Sequence, residues 1–112
     1  IPIGRELAAD PSVTAVFCGN DEIAMGVMRG IAEAGLRVPE DVSVAGFDDH
    51  PLAELWNPPL TTAEQDFAGL GRRGFQLLLQ ALDGTGDRLY SSERPRIVLR
   101  DSTAPPRARD TA

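Results

Sequence analysis

Lysine is missing from this sequence of 112 residues, and cysteine and histidine occur once each. A single cysteine, Cys18, cannot form a disulfide within the chain, and its place in an apolar run is typical of a small buried side chain. A single histidine, His50, leaves a transition-metal site without a second imidazole ligand. These absences argue against an internally disulfide-bonded protein and against a zinc-type site.

Positive charge is also scarce. The chain has 11 basic residues, all arginine, against 17 acidic ones, which gives a net charge of −6 and a pI near 4.6. Proteins that bind a phosphate backbone carry the opposite balance, so we expect no direct DNA contact from these residues. No run approaches the roughly 18 apolar residues of a membrane span, and the N-terminus lacks a signal-peptide layout. We therefore expect no membrane contact and a cytoplasmic location.

The apolar segments that are present predict a β-α-β unit over residues 14 to 47. TAVFC, residues 14 to 18, is nearly all apolar, as is typical of a parallel strand buried on both faces. Apolar residues then recur at three- and four-residue steps from Glu22 to Ala34, which predicts an amphipathic helix closed by Gly35. VSVAGF, residues 42 to 47, predicts a second strand parallel to the first.

The rest of the chain predicts shorter elements. Residues 1 to 10 resemble the end of a helix, and residues 48 to 59 form a loop with three prolines. LTTAEQ predicts a short strand, followed by a helix from an Asp66 cap to about Asp83, closed by Gly84. We expect a polar loop over residues 85 to 95, a final strand over residues 96 to 100, and a disordered tail over residues 104 to 112.

Polar side chains follow both predicted parallel strands. Asn20 comes after the first strand and Asp48 after the second, so we expect both at the edge where the carboxyl ends of the strands meet. An amide that donates and accepts, beside a carboxylate that only accepts, suits a neutral, hydroxyl-rich ligand such as a sugar or nucleoside. Asx side chains also cap helices and turns. We expect that local role for Asp21, and it stays open for Asn20 and Asp48.

Other site chemistries have weaker support. GLGRRG, residues 69 to 74, has the glycine spacing of a dinucleotide-binding loop, but it lies inside a helical pattern, where close helix packing explains it better. Asp48, Asp49 and His50 are consecutive and rarely all point at one ion. No Ser or Cys nucleophile occupies a strand end that matches His50. We therefore expect no enzyme activity, no metal and no cofactor.

The motifs together resemble those of a known family. CGNDEIAMGVMRGIAEAGLRVPEDVSVAGFDD, followed by NPPLTTAEQDFAGLG and IVLRDST, is similar to the C-terminal part of the LacI/GalR (lactose-repressor) family of bacterial transcription regulators, over residues 12 to 103. The resemblance implies an incomplete periplasmic-binding-protein-like (type I) lobe, an α/β fold with three αβα layers. It implies that residues 1 to 59 belong to the C-terminal lobe. Residues 60 to 103, with a crossover strand, helix and strand, would belong partly to an N-terminal lobe outside this sequence.

The resemblance also implies ligand contacts. Asn20 and Asp48, the pair that strand geometry selects, match the family's ligand-binding positions in this lobe. Gln65 and Phe67 match positions near the ligand at the crossover between the lobes.

Four further residues match subunit contacts of the family, which implies a homodimer: Met25, Arg29, Leu55 and Trp56. From the residues alone, Trp56 and the Met25/Arg29 side of the first helix form the most apolar set expected to be exposed, and core packing is the alternative for them, equally so for Trp56.

As the resemblance implies it, a small-molecule effector shifts the population of two lobe arrangements, and a helix-turn-helix headpiece outside this sequence then changes its DNA binding. The same lobe occurs in secreted sugar receptors of ABC uptake systems, which is the alternative. A receiver-type signalling domain would need a strand-end lysine, and the chain has none.

The resemblance leads to one expectation about packing. In the family the helix from Asp66 packs on the N-terminal lobe. Burying side chains such as Phe67, Leu70, Leu78 and Leu82 contributes about 1.5 to 3 kcal/mol each. We therefore expect this segment, taken alone, to exchange elements with a second copy or to pack its helix elsewhere.

Overall fold

The computed structural model describes residues 1–84 and 94–108. Within them the chain forms three helices and four strands, in the order α1 Pro2–Ala8, β1 Ala15–Phe17, α2 Asp21–Glu33, β2 Ser43–Ala45, β3 Thr62–Glu64, α3 Phe67–Asp83 and β4 Arg96–Val98. The predicted order of elements is therefore confirmed. The polar loop predicted for residues 85 to 95 falls almost entirely on residues 85–93, which lie outside the described part.

The chain divides into two compact units. The first contains Ile1–Glu64 and the chain from Ile97 onward, and the second contains Gln65–Arg96. The first unit holds the predicted β-α-β motif together with β3, which the family resemblance had grouped with the later elements.

The sheet of the first unit is parallel, as predicted. β1 and β2 pair in parallel with Ala15 opposite Ser43, and single parallel bridges join Ala45 to Thr61 and Asp48 to Glu64. β3 in turn pairs with β4. Because the carboxyl ends of neighbouring parallel strands lie on the same side of the sheet, the residues that follow β1 and β2 lie at a common edge. The fold class is α/β with a parallel sheet and packed helices.

Helix α2 supplies half of the buried core residues, as its three- and four-residue periodicity predicted. Its buried residues Ala24, Val27 and Ile31 pack in one cluster with Val44 of β2 and with Leu60. The helix ends at Glu33, and Gly35 follows it with a φ of 84°, a conformation that glycine adopts without a steric penalty.

Helices α1 and α2 cross at a pair of glycines. A Cβ on Gly30 would lie 2.2 Å from the carbonyl oxygen of Ile1, and one on Gly4 would lie 2.3 Å from that of Val27. Glycine at both positions therefore allows the two backbones to meet. Arg5 of α1 also pairs with Glu33 of α2, and the hydrogen bond from Arg5 lowers the pKa of the Glu33 carboxyl.

The expected burial of β1 on both faces is wrong. Ala15 is exposed and Phe17 is 73% exposed. The physical reason is position, because within the described residues β1 pairs only with β2 and forms one edge of the sheet. An apolar run does not distinguish an edge strand from a central one.

The C-terminal tail is ordered where it is described, which corrects the expected disorder for those residues. The backbone N–H of Ala104 donates to Ser43 Oγ, and the Arg107 guanidinium donates to the carbonyl oxygens of Asp41 and Pro11. Residues 109–112 lie outside the described part.

The second unit contains helix α3, whose ends are as predicted. Asp66 caps it by accepting from the N–H of Gly69 at 2.9 Å, and Gly84 follows with a φ of 67°. The helix carries a row of large apolar side chains that are 43% to 75% exposed: Phe67, Leu70, Phe75, Leu78, Leu79 and Leu82. The exposed face expected from the sequence is therefore present. Its exchange with a second copy stays a prediction.

None of the helices in the described ranges combines the length and the apolar character that crossing a membrane requires.

Candidate functional site

Asn20 caps helix α2 at the end of β1. Its side-chain oxygen Oδ1 accepts from the backbone N–H of Ile23 at 2.8 Å, while its own backbone is extended with a φ of −155°. The sequence-based expectation gave the capping role to Asp21, and this is wrong. The side chain of Asn20 is half-buried, so the cap leaves it at the surface of the sheet edge.

Asp48 and Asp49 follow β2 in an unusual backbone conformation. Their φ angles are 107° and 56°, the two positive values among the described non-glycine residues. Such conformations cost on the order of 1–3 kcal/mol each and persist where surrounding contacts stabilise them. The backbone N–H of Asp48 donates to the carbonyl oxygen of Ala63 at 2.9 Å, which attaches the turn to β3.

Backbone hydrogen bonds bring the segments of Asn20 and Asp48 together. The N–H of Asp21 donates to the carbonyl oxygen of Phe47 at 3.1 Å, so the residue after Asn20 is bonded to the residue before Asp48. Both Asn20 and Asp48 are half-buried. The predicted neighbourhood at one sheet edge is therefore present. We call this edge, formed by residues 20–21 and 47–50, the rim.

Asp21 is the most buried polar residue of the rim, with 1% of its surface exposed. Its Oδ2 accepts from the backbone N–H of His50 at 2.6 Å, and its Oδ1 accepts from the hydroxyl of Thr62 at 2.6 Å. The Thr62 hydroxyl in turn accepts from the backbone N–H of Asp49 at 3.2 Å. The carboxylate thus joins helix α2, the turn and β3, and sequence analysis missed this role.

Residues near the C-terminus, Arg100 and Ser102, make a second set of contacts around the turn. Arg100 Nη2 lies 2.9 Å from Asp49 Oδ1, with the side chains only 15% and 23% exposed, and Arg100 Nη1 donates to the carbonyl oxygen of Leu60 at 3.0 Å. The hydroxyl of Ser102, fully buried, connects the same region by accepting from the N–H of Thr61 and donating to the carbonyl of Val44. Asp49 therefore helps to hold the turn through its ion pair with Arg100.

The remaining reactive groups of this unit have local roles. Burial raises the pKa of the Cys18 thiol, which keeps it protonated at neutral pH and poorly nucleophilic. His50 Nδ1 accepts from the backbone N–H of Leu52 at 3.0 Å, and its Nε2 lies 4.0 Å from the exposed carboxylate of Glu22. Among the described residues no three His, Cys, Asp or Glu side chains gather in a way that could hold a metal ion.

The predicted subunit-contact residues separate into two groups. Met25 is 7% exposed and belongs to the core, so its expected exposure is wrong: this side of α2 packs inward on the sheet. Arg29, Leu55 and Trp56 line a cavity of about 580 Å³ between the second half of α2 and the loop before β3. Leu55 is 78% exposed, and Trp56 is half-buried against the core.

Gln65 and Phe67, the two positions predicted near the ligand at the crossover, belong to the second unit. Gln65 is half-buried, and its carbonyl oxygen accepts from the N–H of Phe67, whose side chain is 55% exposed at the start of α3. Their contact with a ligand stays a prediction.

Comparisons with known proteins agree with this architecture. A family model described as a periplasmic binding protein-like domain matches residues 3–103. The HTH-type transcriptional repressor PurR of Vibrio cholerae is 42% identical over 97 residues, which are 86% of this chain and 29% of the repressor. The structure of the Lac repressor dimer bound to operator and the anti-inducer ONPF superposes with a TM-score of 0.82 at 37% identity, covering 91% of this chain and 36% of that one.

A third relative was solved with a sugar. The LacI family transcriptional regulator from Arthrobacter sp. FB24, in complex with lactose, matches with a TM-score of 0.74 at 36% identity, covering 90% of this chain and 40% of the regulator. The chain belongs to the family of periplasmic-binding-protein-like domains. Within it, the chain is part of the effector-binding domain of a LacI/GalR-type regulator, and the resemblance drawn from the motifs is confirmed. It spans less than a third of the length of the PurR repressors that it matches.

Proposed function

We propose that this chain is the effector-sensing part of a bacterial transcriptional regulator, and that its rim binds a small, neutral, hydroxyl-rich ligand. The observation that supports the proposal is the juxtaposition of Asn20 and Asp48 through the bond between Asp21 and Phe47. Sugars are the first class of ligand to test and nucleosides the second.

The hydrogen-bonding chemistry of the rim favours a polyol. Asn20 uses its side-chain oxygen to cap α2, so the amide N–H groups are its principal contribution to a ligand. The carboxylate of Asp48 accepts hydrogen bonds from hydroxyl groups. A donor next to an ionised acceptor fits the alternating donors and acceptors of a sugar ring, and an anionic ligand would be repelled by Asp48. The Arthrobacter relative solved with lactose supports this class.

Control of DNA binding is assigned to the complete protein. The relatives are named as transcriptional repressors or regulators, and the Lac repressor structure holds both an operator and an anti-inducer. The chain itself has a net charge of −6, which disfavours contact with phosphates. We infer that a DNA-binding headpiece elsewhere in the protein responds to the ligand at the rim. A sugar receptor of an uptake system, the alternative, is not favoured by these comparisons.

A homodimer is the second part of the proposal. Arg29, Leu55 and Trp56 line one concave surface, and Leu55 is 78% exposed there. Tryptophan and arginine are enriched in interface hot spots, and the exposed leucine adds apolar surface beside them. Met25, which is buried in the core, is left out of this surface.

The ligand proposal is tested by thermal melting of the complete gene product with a panel of neutral saccharides, lactose and sucrose included, and of nucleosides. We expect at least one compound to raise the melting temperature in a concentration-dependent way, because a ligand that binds only the folded state stabilises it. Sugar acids serve as the matched control and should give no shift. A panel without any response would contradict the proposal.

A further inference from the structure

Asp21 is hydrogen-bonded to the residues on both sides of the Asp48–Asp49 turn. Asp48 and Asp49 are the two non-glycine residues with a positive φ in the described part of the chain, and the hydrogen bonds on either side of them go to a single partner, Asp21. The N–H of Asp21 holds the carbonyl oxygen of Phe47, and its Oδ2 holds the N–H of His50. Only Asp48 and Asp49 lie between these two anchor points.

The hydrogen bonds of Asp21 also close a ring. From Oδ2 the ring passes to the N–H of His50, along the chain to the N–H of Asp49, to the hydroxyl of Thr62, and back to Oδ1. Each bond of this ring is 2.6 to 3.2 Å long. The Asp48–Asp49 turn is thus hydrogen-bonded at Phe47, at Asp49 and at His50. With its backbone held at these points, the Asp48 side chain has little freedom to change direction.

Asp21 packs closely against the end of β2. A Cβ on Gly46 would lie 2.2 Å from Asp21 Oδ1 and 3.0 Å from Asp21 Cα. Gly46 is buried and comes directly after β2. The strand end and the buried carboxylate are therefore in close contact.

We propose that Asp21 is a positioning residue of the ligand rim: its buried carboxylate holds the Asp48–Asp49 turn in the left-handed conformation and so fixes the direction of the Asp48 carboxylate. The ligand-affinity part rests on the proposed function. The conformational part stands on the geometry alone. Because the same carboxylate bonds Thr62 at the start of β3, the orientation of Asp48 is also coupled to that strand.

The test compares two neighbouring carboxylates. Asp21→Ala removes the buried one, and Glu22→Ala removes an exposed one from the same helical turn, so both variants change the charge near the helix N-terminus equally. Hydrogen exchange with mass spectrometry on the complete protein follows the peptide of residues 47–52, with a peptide over β2 reporting on overall stability.

We expect the amides of residues 49 and 50 to exchange about tenfold faster or more in Asp21→Ala, with little change over β2, and Glu22→Ala to match the wild type. Unchanged exchange over residues 47–52, or equal acceleration over both peptides, would overturn the proposal. If Asp21→Ala does not fold, Thr62→Val replaces it, because the two side chains have nearly the same shape. Thr103→Val is its control. The Asp49 amide should then lose protection from exchange in Thr62→Val and keep it in Thr103→Val.

The affinity arm uses lactose with the complete protein. Asp21→Ala is expected to weaken binding about tenfold. In the Asp48→Asn background it should weaken binding no further, because Asp21 acts through Asp48. If the double variant lost affinity by the product of the two single losses, Asp21 would act independently of Asp48, which would contradict the positioning role. A wild-type protein that binds neither lactose nor any other compound of the panel would count against the proposed function, and hydrogen exchange would still decide the role of Asp21.

Discussion

Asn20 combines two functions that single substitutions can separate. Its oxygen caps α2, and its amide is the donor proposed for the ligand. Asn20→Asp keeps an acceptor for the N–H of Ile23 but removes the amide donor, whereas Asn20→Ala removes both. We expect Asn20→Ala to lower the free energy of unfolding by about 1 kcal/mol and Asn20→Asp to leave it nearly unchanged, as measured by urea denaturation.

The two Asn20 variants should differ in stability but not in ligand affinity, because both lack the amide donor. Both should bind the best compound of the panel more weakly than the wild type does. An Asn20→Asp protein with wild-type affinity would show that the amide contributes only its cap.

At the same scale, the sequence identified Asn20 and Asp48 because strand ends can be located from apolar runs and the geometry of parallel sheets. It did not identify the role of Asp21. The partner Thr62 lies on β3, 41 residues along the chain, and neither periodicity nor local spacing carries information about such a contact. The positive φ of Asp48 and Asp49 has the same origin, since the contacts that hold this turn come from Asp21, β3 and Arg100, which are distant along the chain.

The positions of the helices were easier to predict from the sequence than the burial of β1 or the order of the C-terminal residues. The apolar period and Gly35 predicted α2, and Asp66 and Gly84 predicted the ends of α3, because caps and periodicity are local. The exposure of β1 depends on which strands lie beside it, and the order of the C-terminal residues depends on contacts such as that of Arg107 with Asp41. Neither is encoded locally.

The crossing of α1 and α2 gives a prediction at the element scale. Gly30→Ala would place a methyl group 2.2 Å from the carbonyl oxygen of Ile1 and 2.9 Å from the N of Arg5. We expect it to destabilise the protein by about 1–3 kcal/mol, despite the higher helix propensity of alanine. The midpoint of chemical denaturation measures the change.

Gly26 provides the matched control in the same helix. A Cβ there would have its nearest contact at 3.6 Å, an ordinary distance, so Gly26→Ala should be neutral or stabilising by up to about 1 kcal/mol. Equal effects of the two substitutions would contradict the close crossing of the helices.

For the whole molecule, the proposed homodimer depends on the cavity beside Trp56. Leu55→Asp places a charge on a side chain that is 78% exposed in this chain and that we expect to be buried in the dimer. The complete protein should change from dimer to monomer in light scattering at micromolar concentration. Leu52→Asp, at a 45% exposed position of the same loop, should remain a dimer.

A dimer that persists in Leu55→Asp would remove this cavity from consideration as the interface. The exposed apolar row of α3 would then be the next surface to test.

The central claim is that Asp48 is the carboxylate that accepts hydrogen bonds from a neutral, hydroxyl-rich ligand. The most direct test is isothermal titration of the complete protein with the compound that gives the largest melting shift, using Asp48→Asn and, as control, Asp101→Asn at an exposed position. A hydrogen bond to a charged group is worth about 1.5–3 kcal/mol, so affinity should fall roughly ten- to hundredfold in Asp48→Asn. It should stay at the wild-type value in Asp101→Asn. Wild-type affinity in Asp48→Asn would contradict the account.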